Sequence, residues 1–344
     1  MCQGINRDVG DIVTLVTSSI PELLQQWRDA ASDTPQDTLQ DTIVAIGNFD
    51  GVHLGHQRVL HHALEVASQQ GVASQQGVAS QQTEQTTPTR TAKTVVVTFD
   101  PPAKVLFHGQ KYLTDRAEKV ALLAALGFDA VVVIPFSYDY AQTDKQVFVD
   151  ELRSLRPSHI IVGEDFRFGY KRRGGLDDLS HVTDYLEVVG IYSVAGEAVK
   201  SSYIRGLLEA GQVDDARRFL GRSYSARGVV IEGDRRGRTI GYPTANLRIP
   251  PEKALPQGVF AVWADTPQGR YMGMANVGNR PTFDSEPPAL EVNLFDVDMD
   301  IYGQTLTVYF ASYLRGQRAF AGLDDLKGQL AADAVAARAI LTKS

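Results

Sequence analysis

The stretch Gly47-Asn48-Phe49-Asp50-Gly51-Val52-His53-Leu54-Gly55-His56 follows an apolar run at 42–46 and precedes Leu60, Ala63, Leu64 and Ala67. The run is rich in β-branched residues and reads as a short buried strand. The spacing after it reads as one face of a helix. A glycine-bearing turn between such a strand and such a helix opens a βαβ unit. The following chain keeps that rhythm: runs at 94–99, 130–134 and 159–162 predict strands, and 114–126 and 145–155 predict helices. Thr114 reads as the N-cap of the first of these helices and Gly127 as its C-cap. The expected N-terminal fold is α/β, a Rossmann-like, doubly wound parallel sheet with helices on both faces. Ligands of such sheets sit at the carboxyl ends of the strands, where strand order reverses. The turn at 47–56 lies at one of those ends.

A helix start presents backbone N–H groups and a positive dipole end, and here two imidazoles three residues apart stand beside it. That combination suits a polyphosphate being cleaved or rearranged. Two further pieces fit the same chemistry. Gly163-Glu164-Asp165-Phe166-Arg167-Phe168-Gly169 trails the fourth strand, with Lys171, Arg172 and Arg173 behind it. Ser201-Ser202-Tyr203-Ile204-Arg205 opens a helix; its hydroxyls are either plain caps or, with Arg205, a phosphate cradle.

A different regime follows 220–222. Runs at 226–231, 258–263, 271–277, 290–295 and 305–310, punctuated by Gly and Pro, predict an all-β antiparallel barrel or sandwich. Residues 323–341 predict a closing helix. The expected domains are 1–222 and 223–344. In Pro243-Thr244-Ala245-Asn246 an extended backbone points Thr244 and Asn246 the same way. Their hydroxyl and amide oxygens are suited to holding Mg²⁺ against phosphate. Glu291 shares a strand face with Asn293 and could take the proton of a substrate hydroxyl. Two look-alikes are set aside. Gly233-x-x-x-Gly237-Arg238-Thr239 is one residue short of a P-loop and has Arg for Lys. Asp296, Asp298 and Asp300 imitate a calcium loop but have Ile301 and Thr307 at the sixth and twelfth positions; they read as a polar hairpin turn.

Composition narrows the class. With 344 residues and net charge −7, the chain predicts two soluble domains, with no nucleic-acid and no membrane partner. The single thiol, Cys2, excludes an internal disulfide and a Cys-based zinc site, and fits a cytoplasmic protein. Residues 66–82 repeat VASQQG with a period of six and run into a polar stretch, and about 66–92 reads as a flexible surface loop.

These motifs occur in an order that resembles the bifunctional riboflavin kinase/FMN adenylyltransferase (FAD synthetase) family of prokaryotes. The pieces are GNFDGVHLGH, TFDP at 98–101, VGEDFRFG, SS-x-IR, GRxxGYPTANL, GVFAVW, NVGNRPTF at 276–283, and LEVNLFD followed by YGQTLTVYF. The likeness runs from about residue 13 to the C-terminus, apart from the repeat. It implies an N-terminal HxGH-type nucleotidyltransferase domain and a C-terminal riboflavin kinase barrel. FMN would form first and FAD second, with ATP and Mg²⁺ as co-substrate and cofactor.

By the resemblance, His53 and His56 would stabilise charge on the transferring phosphates. Asn48, Asp50, Gly51, Asp165, Ser201, Ser202 and Arg205 would contact ATP in the first domain. Gly233, Gly241, Thr244 and Asn246 would hold Mg²⁺–ATP in the second. Glu291 would be the base and Arg315 would contact flavin. The implied partners are riboflavin, FMN, FAD and ATP, with self-association left open. The alternatives are a kinase-only enzyme and a non-catalytic flavin-binding regulator. Three positions depart from the family pattern: Pro102-Ala103 stand where a histidine is usual, Lys200 where a serine is usual, and Gln317 where an acid is common.

Overall fold

The computed structural model describes residues 14–30, 41–75, 92–233, 237, 240–278, 289–297 and 299–343. The chain forms two compact units, Met1–Val199 and Lys200–Ser344. The first is a six-stranded parallel sheet in the order β1-β4-β3-β2-β5-β6, made of β1 (Leu15–Thr17), β2 (Thr42–Ile46), β3 (Lys93–Asp100), β4 (Ala130–Pro135), β5 (Pro157–Gly163) and β6 (Tyr185–Val189). The chain winds from β2 out through β3 to β4, then returns to the other side of β2 for β5 and β6. The order therefore reverses between β2 and β5, and their carboxyl ends flank a crevice.

Alternation along the strands builds the two faces. Val44, Ile46, Val95, Val97, Val132 and Ile160 point to one side, where α1 (Ile20–Ala30) and α5 (Lys145–Ser154) cover them with Ile20, Leu23, Phe148 and Leu152. Ile43, Ala45, Val96, Val131 and Ile161 point to the other, against Leu60, Ala63 and Ala67 of α2 (Leu54–Gln75) and Leu123 of α4 (Arg116–Ala124). Short helices α3 (Ala103–His108) and α6 (Leu176–Leu179) and a small hairpin, β7 (Ser193–Val194) with β8 (Glu197–Ala198), complete the unit.

Two local expectations change. The N-cap of α4 is Asp115, whose carboxylate accepts the Glu118 N–H at 2.7 Å, because Thr114 is buried and engaged elsewhere. Gly127 is left-handed (φ 85) but lies beyond the cap, which is Ala125. The repeat is not loop from its start: α2 continues to Gln75, because Val66 and Ala67 still fall on its buried stripe. Residues 76–91 lie outside the described residues.

The second unit begins with α7 (Ser201–Glu209) and α8 (Val213–Leu220). Both precede the expected boundary at 222 yet group with the strands that follow, because α8 packs on β9 (Tyr224–Ile231) and β14 (Thr305–Arg315). The remaining strands are β10 (Ala245–Arg248), β11 (Gly258–Thr266), β12 (Gly269–Gly278) and β13 (Ala289–Leu294). They close an antiparallel barrel in the order β10-β13-β12-β11-β14-β9. The closing helix, α9 (Leu323–Leu341), buries Ala337 and Leu341 against Ala261 and Met274.

The acidic segment 296–300 is not a hairpin turn, since β13 inserts between β10 and β12 and does not pair with β14. Asp296 instead pairs with Arg338 of α9 at 2.6 Å, and Asp300 accepts the Tyr302 N–H. Asp298 lies outside the described residues. No helix among the described residues is long and apolar enough to cross a membrane.

Candidate active sites

The turn after β2 is built so that His53 caps the helix it starts. His53 precedes α2, and its Nδ1 accepts the His56 N–H at 3.2 Å. With Nδ1 accepting, a neutral ring carries its proton on Nε2. The ring is buried, at 5% exposure, and stacks on His56 with centroids 3.5 Å apart. Phe49 meets His56 edge-on at 5.4 Å, so both imidazoles are fixed in position.

Two glycines make room for this stack. A Cβ at Gly47 would lie 2.8 Å from the Phe49 ring, and one at Gly55 would lie 3.3 Å from His53 Nδ1. Asn48 is exposed at the mouth, and its carbonyl accepts from Thr98 Oγ1 at 3.1 Å.

Asp50 and Gly51, expected among the phosphate contacts, have polar groups committed to the lead-in of α4. The Asp50 carboxylate, 3% exposed, accepts the N–H groups of Leu113 (2.8 Å) and Thr114 (3.2 Å). The Gly51 N–H donates to Thr114 Oγ1 at 3.0 Å. Gly51 has φ +88 and a Cβ there would sit 2.7 Å from Leu113 Cδ1. Gly51→Ala is therefore expected to destabilise this unit by about 1–3 kcal/mol. A thermal melt should show a lowered first-unit transition.

Asp165 is exposed just past the carboxyl end of β5, the strand beside β2 at the reversal. Behind it Phe168 and Gly174 exchange backbone hydrogen bonds, which closes a loop over Tyr170, Lys171, Arg172 and Arg173. Lys171 and Arg173 lie over the Tyr170 ring. In the second unit, Ser201 and Ser202 are the first two residues of α7, and Arg205 is buried one turn further on. Lys200 occupies the N-cap, and its side chain makes no cap hydrogen bond. Pro102, the first departure, caps α3 through its carbonyl, which accepts the Val105 N–H at 2.8 Å.

The barrel holds the second constellation. Asn246, Glu291 and Asn276 are register partners across the adjacent strands β10, β13 and β12, so they form one row. Thr244, Asn276, Glu291, Arg315 and Phe320 line a cavity of about 390 Å³. Asn293 Nδ2 donates to the Pro243 carbonyl at 2.7 Å, holding the segment that carries Thr244 against β13.

Gly233 and Gly237 press backbone onto the same side chains. A Cβ at Gly233 would lie 2.2 Å from the Asn246 amide, and one at Gly237 3.4 Å from Thr244 Oγ1. The resulting donors are uncharged hard oxygens in a tight cradle. They fit Mg²⁺, which keeps several waters and takes its charge balance from phosphate. Gly241 has φ +85 with open space around it, so its role is to make the turn before Pro243.

Arg315 lines the cavity, but its guanidinium is held by Asp333 of α9. Nη2 and Nε reach Asp333 Oδ2 at 2.8 and 3.0 Å, and Asp333 is 4% exposed. Gln329 Nε2 also donates to that carboxylate, at 2.6 Å. Gln317 lies over Gly278 and donates to Asn276 Oδ1 at 3.2 Å. Motif reading placed Asn276 in a family stretch without giving it a role, and it missed Asp333 and Lys119. Asn276 and Asp333 become visible only through register and helix docking. Lys119 has a signal: it lies one turn before Leu123 on the buried stripe of α4.

Comparison with known proteins finds a separate family model for each part of the chain. A family model described as FAD synthetase matches residues 35–203, and one described as riboflavin kinase matches 220–341. The bifunctional riboflavin kinase/FMN adenylyltransferase of Listeria monocytogenes is 34% identical over 311 residues, spanning 88% of this chain and 93% of the relative. That of Escherichia coli K12 is 32% identical over 324 residues, spanning 89% and 94%. A solved structure described as a macrolide-efflux protein from Streptococcus pneumoniae superposes with a TM-score of 0.74 at 29% identity, over 95% of this chain and 99% of that one. With a family model matched in each part of the chain and relatives above 30% identity covered over more than nine-tenths of their length, the chain belongs to the bifunctional riboflavin kinase/FMN adenylyltransferase family.

Proposed function

We propose that this enzyme phosphorylates riboflavin to FMN in the barrel and adenylylates FMN to FAD at the turn after β2. The observation that carries the reading is a stacked pair of imidazoles in the first unit and a Glu291-lined cavity in the second. In the barrel, Glu291 takes the proton of the ribityl 5′-hydroxyl as that oxygen attacks the γ-phosphorus of ATP. The bond from the γ-phosphorus to its bridging oxygen breaks and ADP leaves. Thr244 and Asn246 would hold Mg²⁺, which supplies charge neutralisation on the phosphates.

At the turn after β2, an FMN phosphate oxygen attacks the α-phosphorus of a second ATP and pyrophosphate departs. The His53 Nε2 donor and His56 stabilise the charge that develops on the phosphoryl oxygens. Asn48 and Asp165 belong to the ATP contacts, and Asp50 and Gly51 hold the turn. Arg315 shapes the flavin end of the barrel cavity under the hold of Asp333. The supply of ATP places the reaction in the cytoplasm.

The test is a time course of the wild-type protein with riboflavin, ATP and Mg²⁺, with flavins separated chromatographically. FMN should rise and then give way to FAD. A course that stops at FMN would support the kinase-only alternative, and one without phosphorylation would overturn the barrel assignment.

A further inference from the structure

The histidine turn is gripped from two sides, and a buried lysine joins the grips. The end of β3 holds its first half: the Gly47 N–H donates to the Val97 carbonyl at 3.1 Å, and Thr98 Oγ1 to the Asn48 carbonyl at 3.1 Å. The lead-in of α4 holds its second half through Asp50, Gly51 and Thr114, as described above. Lys119 of α4 is 0% exposed. Its Nζ donates to the Phe99 carbonyl at 2.6 Å and lies 3.4 Å from Asp100 Oδ1, both at the end of β3.

We propose that Lys119 is a positioning residue for adenylyl transfer, fastening α4 to the end of β3 so that the turn between them keeps its shape. The inference rests on the adenylylation reading of that turn. Burial pulls the ammonium below the usual lysine range, while the Asp100 and Asp50 carboxylates oppose that shift. An apolar residue would fill the position without the cost of desolvating a buried ion. A cationic donor here reaches both the carbonyl and the carboxylate, which an apolar side chain cannot do. Phosphoryl-group transfer depends on positioning, and a displacement of about 1 Å lowers a rate by about a hundredfold.

The experiment uses the full chain with Lys119→Met, Lys119→Arg and Asp100→Asn. FAD formation from FMN is followed with ATP and Mg²⁺, and riboflavin phosphorylation by the same preparation is the internal control. Lys119→Met is expected to lower kcat for FAD formation by about 10- to 100-fold. The KM values for FMN and ATP should stay within about twofold, and kinase activity should be unchanged. Lys119→Arg should recover most of the lost kcat, because it keeps a charged donor.

Asp100→Asn leaves the bond to Phe99 and should lower kcat in the same direction, which decides the matter if Lys119→Met fails to fold. Wild-type kcat in Lys119→Met or Asp100→Asn would overturn the proposal. So would a loss accounted for wholly by a smaller folded fraction with normal turnover per folded enzyme. A wild-type protein that makes no FAD from FMN would overturn the adenylylation reading and this inference with it. An active wild type beside an undiminished Lys119→Met would overturn this inference alone.

Discussion

His53→Ala is expected to lower FAD formation from FMN by about two to three orders of magnitude while riboflavin phosphorylation continues at the wild-type rate. The substitution removes the Nε2 donor, and also the Nδ1 acceptor that caps α2 and the face on which His56 stacks. Those roles separate in a second variant. Asparagine is a good N-cap, so His53→Asn restores the acceptor for the helix without restoring the donor to phosphate. His53→Asn should therefore match His53→Ala in activity and exceed it in thermal stability. If asparagine restored turnover, His53 would be a structural cap and the catalytic assignment would fail.

The second large effect is expected at Glu291. Glu291→Gln keeps the size of the side chain and its place in the row with Asn246 and Asn276, but an amide cannot accept the hydroxyl proton. FMN formation from riboflavin should fall by about 10²- to 10⁴-fold, and FAD formation from supplied FMN should be unchanged. Retention of more than about a tenth of the kinase rate would contradict the role of base. The hydroxyl would then react through positioning and charge neutralisation alone.

The sequence pattern carried different parts of this structure to different depths. The strand Thr42–Ile46 and the helix Leu323–Leu341 have the bounds that their apolar spacing predicts, since one is buried on both faces and the other has a continuous stripe. Periodicity identifies faces, but it does not identify partners across long separations. That is why β13 beside β10, and hence the row Asn246–Glu291–Asn276, emerged only with the register. The same limit explains Asp50. The resemblance makes Asp50 an ATP contact, and only the fold shows that its carboxylate also accepts the N–H groups of Leu113 and Thr114. Arg315 was visible as a cation near the flavin end, whereas its hold by Asp333 depends on how α9 docks. Lys119 was hidden by its type, because an amphipathic pattern assigns lysine to solvent, and only its place one turn before Leu123 argues otherwise.

The central claim is that one chain breaks two different bonds of ATP at two different sites, and methylene-bridged ATP analogues test it most directly. With riboflavin and α,β-methylene-ATP, the γ-phosphorus can still be transferred but the α,β bond cannot be cleaved. The wild-type protein should accumulate FMN and form no FAD. With FMN and β,γ-methylene-ATP, adenylyl transfer remains possible and FAD should form, whereas riboflavin with the same analogue should remain unphosphorylated. FAD formed with the α,β analogue, or FMN formed from riboflavin with the β,γ analogue, would contradict the account.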